Sequence, residues 1–488
     1  MKPEFEQWAD NALHSLTAAV PADFGGVETP KVPVAVVIVG RNYGRYLPDA
    51  LTSVLQQDPA PAEVIYVDNA STDGSVQYAL SRGVKSMVVG PQERHICVCR
   101  NRGLAYTSAP WLLFLDADDV IPQGYLGKLY EHNADPRVGI VYPQFSTFGL
   151  ADSVGVSDFN DMYRSNYIAG QSLVRRRAIE AVGGYAQLQC FQDWDLWLRI
   201  INEGWLTAQA KVLYEHRTHA DSLTSLSTKR GAGYQTVLRR QPITLFTPFG
   251  PGGPTRGADY FRTLEHLGVD WDRTTLFFYD NTGSTITADR LKGYLRDCPA
   301  RGTIYYRDDT RVSFTDLHTR VEVVPERMAE IWTRMGQMIH TPFVLSLEHD
   351  MDPYLSHSAP KLYEGLAPDV DAVTGIYHSR PMVGVNRILA LEWFARGDGS
   401  QSLRDIARFP GDLPEPPCDG ATRIGATGVG YVLLRSDVIR NFTYPVGNSS
   451  HWCGQDFGLW RHVRERGKRL MAHWGVRLKH YHNAKEYV

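Results

Sequence analysis

The chain has 488 residues, of which 43% are hydrophobic and 22% are charged, and its formal net charge is -3 with a pI of about 6.6. These values are typical of a soluble globular protein with two or three domains. The small negative net charge excludes an overall positive electrostatic field that would attract nucleic acid or anionic lipid. No apolar run reaches the ~20 residues of a transmembrane segment.

Residues 1–30 are predicted to form a helix, from Phe5 to Leu16, and a linker that contains Gly and Pro. The first ten residues lack the basic and apolar stretches of a signal peptide, so we expect a cytoplasmic protein. The six cysteines are scattered, which indicates reduced thiols rather than a disulfide framework. Cys97 and Cys99 lack the second pair that a zinc site needs.

Strands and helices alternate from about residue 34. Val34–Val39, Glu63–Val67 and Trp111–Leu115 are apolar runs that predict buried parallel strands, with helical segments between them. This alternation predicts a doubly wound sheet, and ligands bind such sheets beyond the carboxyl ends of the strands. Asp68 and Asp116 each follow directly on such a run, so we expect both in one crevice.

Three carboxylates, Asp116, Asp118 and Asp119, stand where the third predicted strand ends. Acidic turns are common, so Asp-x-Asp by itself is a weak signal. Carboxylates this close together repel one another unless a cation lies between them. Their position after a buried strand therefore favours a metal site.

Three motifs in the same order resemble those of inverting family-2 glycosyltransferases, which have the GT-A fold. The motifs are Val67 to Ser75, Arg100 to Gly103 and Phe114 to Asp119. A turn with an asparagine after the first strand, here Asn42, also fits that family. Cys99 stands where the family usually has alanine.

This resemblance implies that Asn42, Asp68, Arg100 and Asp116 bind a nucleotide sugar. It also implies that Asp118 holds Mn²⁺ or Mg²⁺, which would neutralise the charge of the departing nucleoside diphosphate. A structural ion pair is an equally open role for Arg100.

The segment from Gln192 to Trp197 follows a Gly-Gly-Tyr turn and resembles the family's Glu-Asp segment, whose aspartate is the catalytic base. The resemblance assigns that role to Asp193, with Asp195 as the alternative, although acids are also favoured in the first turn of any helix. Gln192 replaces the usual glutamate. His219 resembles the family's histidine that completes the metal site, and His216 is the alternative candidate for this role.

From Pro242 the same pattern restarts, with predicted strands at Ile243–Thr247, Thr275–Tyr279 and Phe343–Leu347. The acids recur at growing offsets: 212 residues from 68 to 280, 232 from 118 to 350, and 263 from 193 to 456. Growing offsets indicate a duplicated core with loop insertions rather than a short repeat.

By this correspondence Asp456 is the second candidate base, and Asp280 and Glu348 are candidate nucleotide-sugar ligands. Asp350 and Asp352 alternate with Glu348 along an extended chain and are candidate metal ligands. His480 is the candidate histidine ligand of this second site and is favoured over His482.

We therefore expect an α/β protein with two tandem GT-A-like domains, each a Rossmann-like, doubly wound mixed sheet, at residues 31–238 and 239–488. The expected activity is metal-dependent transfer of a sugar from a nucleotide-diphosphate donor to a hydroxyl of a glycan or other biopolymer. Transfer in the first domain should be inverting. The second domain could transfer a second sugar, bind the acceptor, or be inactive.

Three alternatives stay open. A modified base in DNA could be the acceptor, with a phosphate track formed by Arg175–Arg177, Arg239–Arg240 and Arg461 to Arg469, although solvated helix faces are favoured for these runs. A nucleotidyltransferase would need a longer and more basic loop than Gly40–Gly44. A non-catalytic sugar-binding role is the third alternative, for the second domain. The Gly-rich loop Pro248–Pro254 lacks the Lys-Ser/Thr of a phosphate-binding P-loop.

Overall fold

The chain divides into two compact units, residues 1–237 and 238–488. The predicted N-terminal helix and linker and the candidate ligands His219 and Asp350 lie outside the residues that the structure describes. The computed structural model describes residues 30–147, 162–217, 230–250, 258–308, 330–348, 351–353, 356–382, 385–388, 391–395, 401–405, 421–424, 430–440 and 454–480.

The first unit has helices on a mixed sheet. Its described strands are β1 (Lys31–Gly40), β2 (Ala60–Asp68), β3 (Lys85–Val88), β4 (Trp111–Asp116), β5 (Val138–Thr147), β6 (Leu173–Arg175) and β7 (Leu206–His216). Its described helices are α1 (Leu47–Leu55), α2 (Ser75–Ser81), α3 (Ile96–Tyr106), α4 (Tyr125–Tyr130), α5 (Arg176–Ala181), α6 (Gln192–Asn202) and α7 (Arg230–Arg239).

The strand order of this sheet is β3-β2-β1-β4-β6-β5-β7. β1 runs parallel to both of its neighbours, whereas β6 is antiparallel to β4 and β5. The residues from Val34 to Ile38 are fully buried, because helices cover a central parallel strand on both faces. The apolar run that predicted this strand therefore reflects its central position.

The carboxyl ends of β2 and β4 lie on either side of the end of β1. In the sheet register Gly40 pairs with Asp68, and Val39 pairs with Asp116. Both acids therefore stand at one edge of the sheet. Because side chains alternate along a strand, this one-residue difference directs the Asp68 and Asp116 side chains to opposite faces of the sheet.

The second unit is also built on a mixed sheet. Its described strands are β8 (Ile243–Phe249), β9 (Thr274–Asp280), β10 (Gly302–Arg307), β11 (Phe343–Leu347), β12 (Met351–Pro353), β13 (Val370–Met382), β14 (Val385–Ile388), β15 (Leu391–Ala395), β16 (Gln401–Asp405), β17 (Ala421–Ile424), β18 (Tyr431–Arg435) and β19 (Arg469–His480). Its described helices are α8 (Ala258–His266), α9 (Thr285–Asp297), α10 (330–338), α11 (Ser358–Leu362), α12 (Ser436–Arg440) and α13 (Gly454–Glu465). Among the described helices of the two units, none has the length and apolarity that a membrane span requires.

Seven strands of the second sheet repeat the topology of the first. Their order is β10-β9-β8-β11-β18-β13-β19, and β12 adds to the β19 edge. The strand directions also match, since β18 is antiparallel to β11 and β13 while β13 is parallel to β19. The predicted fold class, two tandem α/β units with mixed doubly wound sheets, is confirmed.

The sheet registers show which residues correspond between the units. Trp111 pairs with Arg175 across β4 and β6, and Phe343 pairs with Arg435 across β11 and β18. Each guanidinium lies over the ring of its partner, at 4.3 Å from the centre of the Trp111 ring and 5.6 Å from that of Phe343. The offset between β4 and β11 is therefore 232 residues, from 111 to 343, which aligns Glu348 with Asp116.

Candidate active site

The three acids that follow β4 form a compact cluster. One carboxylate oxygen from each of Asp116, Asp118 and Asp119 lies within 4.8 Å of the others. Burial raises the pKa of Asp116 to about 6; the guanidinium of Arg100 opposes this rise, and the carboxylates of Asp118 and Asp119 add to it. Hard oxygen donors at this spacing fit a divalent cation such as Mn²⁺ or Mg²⁺.

Asp119 is fully buried and has a structural role. Its Oδ2 accepts hydrogen bonds from Gln171 Nε2 at 3.0 Å and from the Tyr214 hydroxyl at 2.6 Å. Its Oδ1 accepts from the backbone N–H of Arg217 at 3.1 Å. These bonds tie the exit of β4 to β7, so Asp116 and Asp118 are the acids better suited to hold a cation.

Arg100 joins this cluster to the candidate base. Its Nη2 donates to Asp116 Oδ1 at 3.0 Å and its Nη1 donates to Asp193 Oδ1 at 2.9 Å. The guanidinium also lies 5.0 Å from the centre of the Tyr185 ring. The structure thus brings Asp193 of α6 to Asp116 and Asp118 at the exit of β4.

The residues that follow Arg100 in α3 explain why it points there. Asn101 binds the backbone of Tyr185, since its Oδ1 accepts from Tyr185 N at 2.8 Å and its Nδ2 donates to Tyr185 O at 2.9 Å. A Cβ on Gly103 would lie 2.3 Å from Val37 Cγ1, so this glycine lets α3 approach β1 closely. Sequence reasoning identified the Arg-Asn-Arg-Gly motif but missed the role of Asn101.

Asp193 lies in the first turn of α6 against a glycine. A Cβ on Gly170 would be 3.0 Å from Asp193 Oδ2, so a larger residue there would crowd the carboxylate. Phe191, just before the helix, has a φ of 57°. The Ala169-Gly170-Gln171 segment therefore contributes space for the acid and, through Gln171, a donor to Asp119.

Asp195, the alternative base, is fully buried and has a scaffold role. Its Oδ2 accepts from Arg199 Nε at 2.8 Å. Arg199 in turn donates to the carbonyl oxygens of Val182 and Gly184 at 2.8 and 2.9 Å. The pair holds the Gly-Gly turn, which favours Asp193 over Asp195 as the residue that meets a substrate.

Asp68 is the last residue of β2 and is fully buried. Its Oδ1 accepts from the Tyr66 hydroxyl at 2.9 Å and its Oδ2 accepts from the backbone N–H of Ser71 at 2.7 Å. Asn42 lies on the neighbouring loop with a φ of 54°, and its Oδ1 accepts from Thr72 N at 2.8 Å. Asp68 thus shapes the loop after β2, and Asn42 ties the loop after β1 to it.

Asp280 repeats this arrangement in the second unit. Its Oδ1 accepts from Thr282 N at 3.0 Å and its Oδ2 accepts from the Tyr305 hydroxyl at 2.5 Å. In both units the acid after the second strand is thus buried and bonded to a turn N–H and a tyrosine.

The other candidates of the second unit are placed mainly by their backbone. Glu348 follows β11, is half-buried, and its backbone N–H donates to Gly430 O at 2.8 Å. Asp456 is the third residue of α13. Asp352 pairs with Lys479, next to His480, across β12 and β19, while the side chains of Asp352, Asp456 and His480 lie outside the described part.

Two of the arginines considered for a phosphate track are used inside the first unit. Arg175 Nε donates to Val138 O and Arg176 Nε donates to Ala109 O, each at 2.8 Å. In the second unit Arg466 pairs with Asp437 at 2.7 Å and Arg469 with Asp369 at 2.6 Å. These contacts do not support a continuous track for nucleic acid.

Comparison with known proteins finds a family to which part of the first unit is similar. Residues 35–188 match the family model described as Glycosyl transferase family 2. A mannosyltransferase from Pyrobaculum calidifontis, solved with GDP-Man and Mn²⁺, is 19% identical with a TM-score of 0.35 over 48% of this chain and 70% of that one.

Two curated relatives match over part of their own length. Glycosyltransferase GlyA of Streptococcus pneumoniae is 24% identical over 248 residues, which are 44% of this chain and 35% of the relative. Succinoglycan biosynthesis protein ExoU of Rhizobium meliloti is 31% identical over 118 residues, 23% of this chain and 31% of the relative. The chain thus spans about a third of the length of these two relatives. Within this chain, residues 35–188 of the first unit are thus similar to the Glycosyl transferase family 2 model.

Proposed function

We propose that the first unit transfers a glycosyl group from a nucleotide-diphosphate sugar to an acceptor hydroxyl with inversion at the anomeric carbon. The observation that carries this proposal is the meeting of Asp116 and Asp118 with Asp193 at one edge of the sheet. The family match of residues 35–188 supports the same reaction class.

In the proposed reaction Asp193 accepts the proton of the acceptor hydroxyl. The acceptor oxygen forms its bond to the anomeric carbon while the bond to the diphosphate oxygen breaks on the opposite face. The electron pair of the broken bond leaves with the nucleoside diphosphate. A single in-line displacement of this kind inverts the anomeric centre.

Asp116 and Asp118 would hold Mn²⁺ or Mg²⁺ beside the diphosphate. When bound, the cation supplies Lewis-acid stabilisation of the negative charge that develops on the departing group. Two carboxylates at the end of a buried strand are suited to this role because they offer hard oxygen ligands in a partly dry site. The proposed partners are a nucleotide sugar and a hydroxyl-bearing acceptor such as a glycan.

The second unit keeps the scaffold but differs beside the corresponding acids. With the 232-residue offset, Trp332 of α10 takes the place of Arg100, and it is buried against Phe246 with the ring centres 5.7 Å apart. At this position of the described helix, the second unit therefore has an indole where the first has the guanidinium that bridges the two acids. We propose that it binds the acceptor rather than repeating the same transfer.

A product assay tests the proposed reaction. Full-length protein would be incubated with a panel of uridine, guanosine and thymidine diphosphate sugars and Mn²⁺, and nucleoside diphosphate and pyrophosphate would be measured separately. Release of a nucleoside diphosphate, abolished by EDTA, is expected. Pyrophosphate release from nucleoside triphosphates would instead indicate a nucleotidyltransferase.

Two variants should identify the site. Asp118→Ala and Asp193→Asn are expected to lower turnover by roughly 100-fold or more, because they remove the proposed metal ligand and the base. Asp135→Asn is the control, since that acid pairs with Arg137 on the exposed surface. Equal turnover in all three variants, or no metal-dependent release from any donor by the wild type, would refute the proposal.

A further inference from the structure

The guanidinium of Arg100 joins two acids that belong to different elements of the first unit. Asp116 ends β4, and Asp193 is in the first turn of α6. One terminal nitrogen of Arg100 bonds to each, at 3.0 and 2.9 Å. Because a guanidinium is planar and rigid, two such bonds fix the separation of the two carboxylates.

The position of Arg100 is itself fixed by its surroundings. Its side chain is only 5% exposed and lies over the ring of Tyr185. The backbone of Tyr185 is held by Asn101, the next residue of the helix after Arg100. The close approach of α3 to β1 at Gly103 fixes the helix in turn. The bridge is therefore part of a rigid frame and not a surface ion pair.

The contacts of Arg100 do not match those of a diphosphate ligand. Both terminal nitrogens are occupied by carboxylates, and Nε is buried with no hydrogen-bond partner among the described residues. A side chain so enclosed offers little surface to a bound nucleotide. Its geometry instead suits a group that acts on its two acidic neighbours.

The second unit shows that the fold does not require this arginine. The same strand order is built there with Trp332, fully surrounded by core residues, at the corresponding position of α10. A guanidinium is costly to bury unless its charge is compensated, so its presence in the first unit calls for a reason beyond packing.

We propose that Arg100 is a positioning residue that holds the base Asp193 at a fixed distance from the metal-side acid Asp116. This inference rests on the proposed transfer reaction. Arg100 keeps the site assembled before the donor arrives, and it orients Asp193 towards the place where an acceptor hydroxyl would be activated. Misplacing the base would slow the chemical step without weakening donor binding.

The test compares Arg100→Lys and Arg100→Gln with the wild type. Lysine keeps the charge but cannot bond to both acids with a rigid fork, so Arg100→Lys should lower kcat about 100-fold and change the donor KM less than about 3-fold. The donor is the nucleotide sugar that the wild type turns over. Arg102→Lys is the matched control, because Arg102 lies in the same helix, is similarly buried and pairs with Glu93 away from the acids.

Binding of Mn²⁺ alone, measured by calorimetry on metal-free protein, gives a second readout. Arg100→Gln removes a cation next to Asp116, so it should bind Mn²⁺ at least as tightly as the wild type. A raised donor KM with normal kcat in Arg100→Lys would show that Arg100 binds the diphosphate of the donor, and this would overturn the inference. A lowered melting temperature that accounts for the loss of activity, or weaker Mn²⁺ binding by Arg100→Gln, would also overturn it. Absence of transfer in the wild type would refute the proposed function, while the Mn²⁺ comparison would still test the bridge.

Discussion

The side chain of Asn101 holds both backbone groups of Tyr185, accepting from its N–H at 2.8 Å and donating to its carbonyl oxygen at 2.9 Å. Gly184 precedes this tyrosine with a φ of 77°, and a Cβ there would lie 2.6 Å from Asn101 Oδ1. One amide thus fastens the Gly-Gly-Tyr turn to α3, next to the arginine that reaches the acids.

Asn101→Ala should destabilise the first unit by about 2–4 kcal/mol, because it removes two hydrogen bonds and leaves backbone groups unpaired. Urea denaturation measures this change in the free energy of unfolding. Asn133→Ala is the control, since its amide donates to the carbonyl of Tyr130 only three residues away, and it should cost less than about 1 kcal/mol. Equal effects of the two substitutions would contradict the role of Asn101.

Gly103→Ala should also be destabilising, by about 1–3 kcal/mol, because the new Cβ would overlap Val37 at 2.3 Å. The helix would have to move away from β1. Val37→Ala should relieve part of this cost, so the double variant should be more stable than the sum of the two single effects predicts. Additive losses in this double-mutant cycle would show that the close approach is not what Gly103 provides.

Gly293 offers a control for the same substitution. It lies within α9, and a Cβ there would meet no atom within 4 Å. Gly293→Ala should therefore stabilise the protein by up to about 1 kcal/mol, through the higher helix propensity of alanine.

The sequence was sufficient to predict six of the described strands, β1, β2, β4, β8, β9 and β11, and the acids at the ends of four of them, β2, β4, β9 and β11. Continuous apolar runs mark strands covered on both faces, and the offset of 232 residues deduced from them agrees with the pairing of Phe343 with Arg435. This offset between the two units could be deduced from the sequence because β4 and β11 both lead directly into acids.

The contacts of individual acids could not be predicted in the same way. Arg100 is 93 residues from Asp193, and only the tertiary packing of α3 against β1 sets its direction. Asp68 and Asp195 follow the family pattern in sequence, yet both are fully buried and bonded to neighbouring groups. Local pattern does not distinguish an acid that faces a substrate from one that anchors a turn.

The two buried thiols of α3 should be unreactive in the folded protein. Burial raises the pKa of Cys97 to about 11 and that of Cys99 to about 12, so at pH 8 only about one thiol in a thousand or fewer would be ionised. Cys190 and Cys298 are only half-buried. Iodoacetamide at pH 8 followed by peptide mass spectrometry should label Cys190 and Cys298 before Cys97 and Cys99. All four should react at similar rates in urea, and rapid native labelling of Cys97 would contradict the burial.

Asp116→Asn should stabilise the metal-free protein at pH 8 but not at pH 4. The pKa of Asp116 is raised to about 6 in the folded state from 3.8, so the folded protein binds this proton more tightly than the unfolded chain does. Its contribution to stability therefore falls as the pH rises from about 4 to about 6, and ionisation costs up to about 3 kcal/mol above that range. Asparagine cannot ionise and avoids this cost.

Urea denaturation in EDTA at both pH values measures the difference in the free energy of unfolding between the variant and the wild type. Mn²⁺ should reverse the higher stability of the variant at pH 8, because it binds the carboxylate of the wild type. A gain of equal size at pH 4 and pH 8 would show that the substitution acts through packing and not through the charge of Asp116.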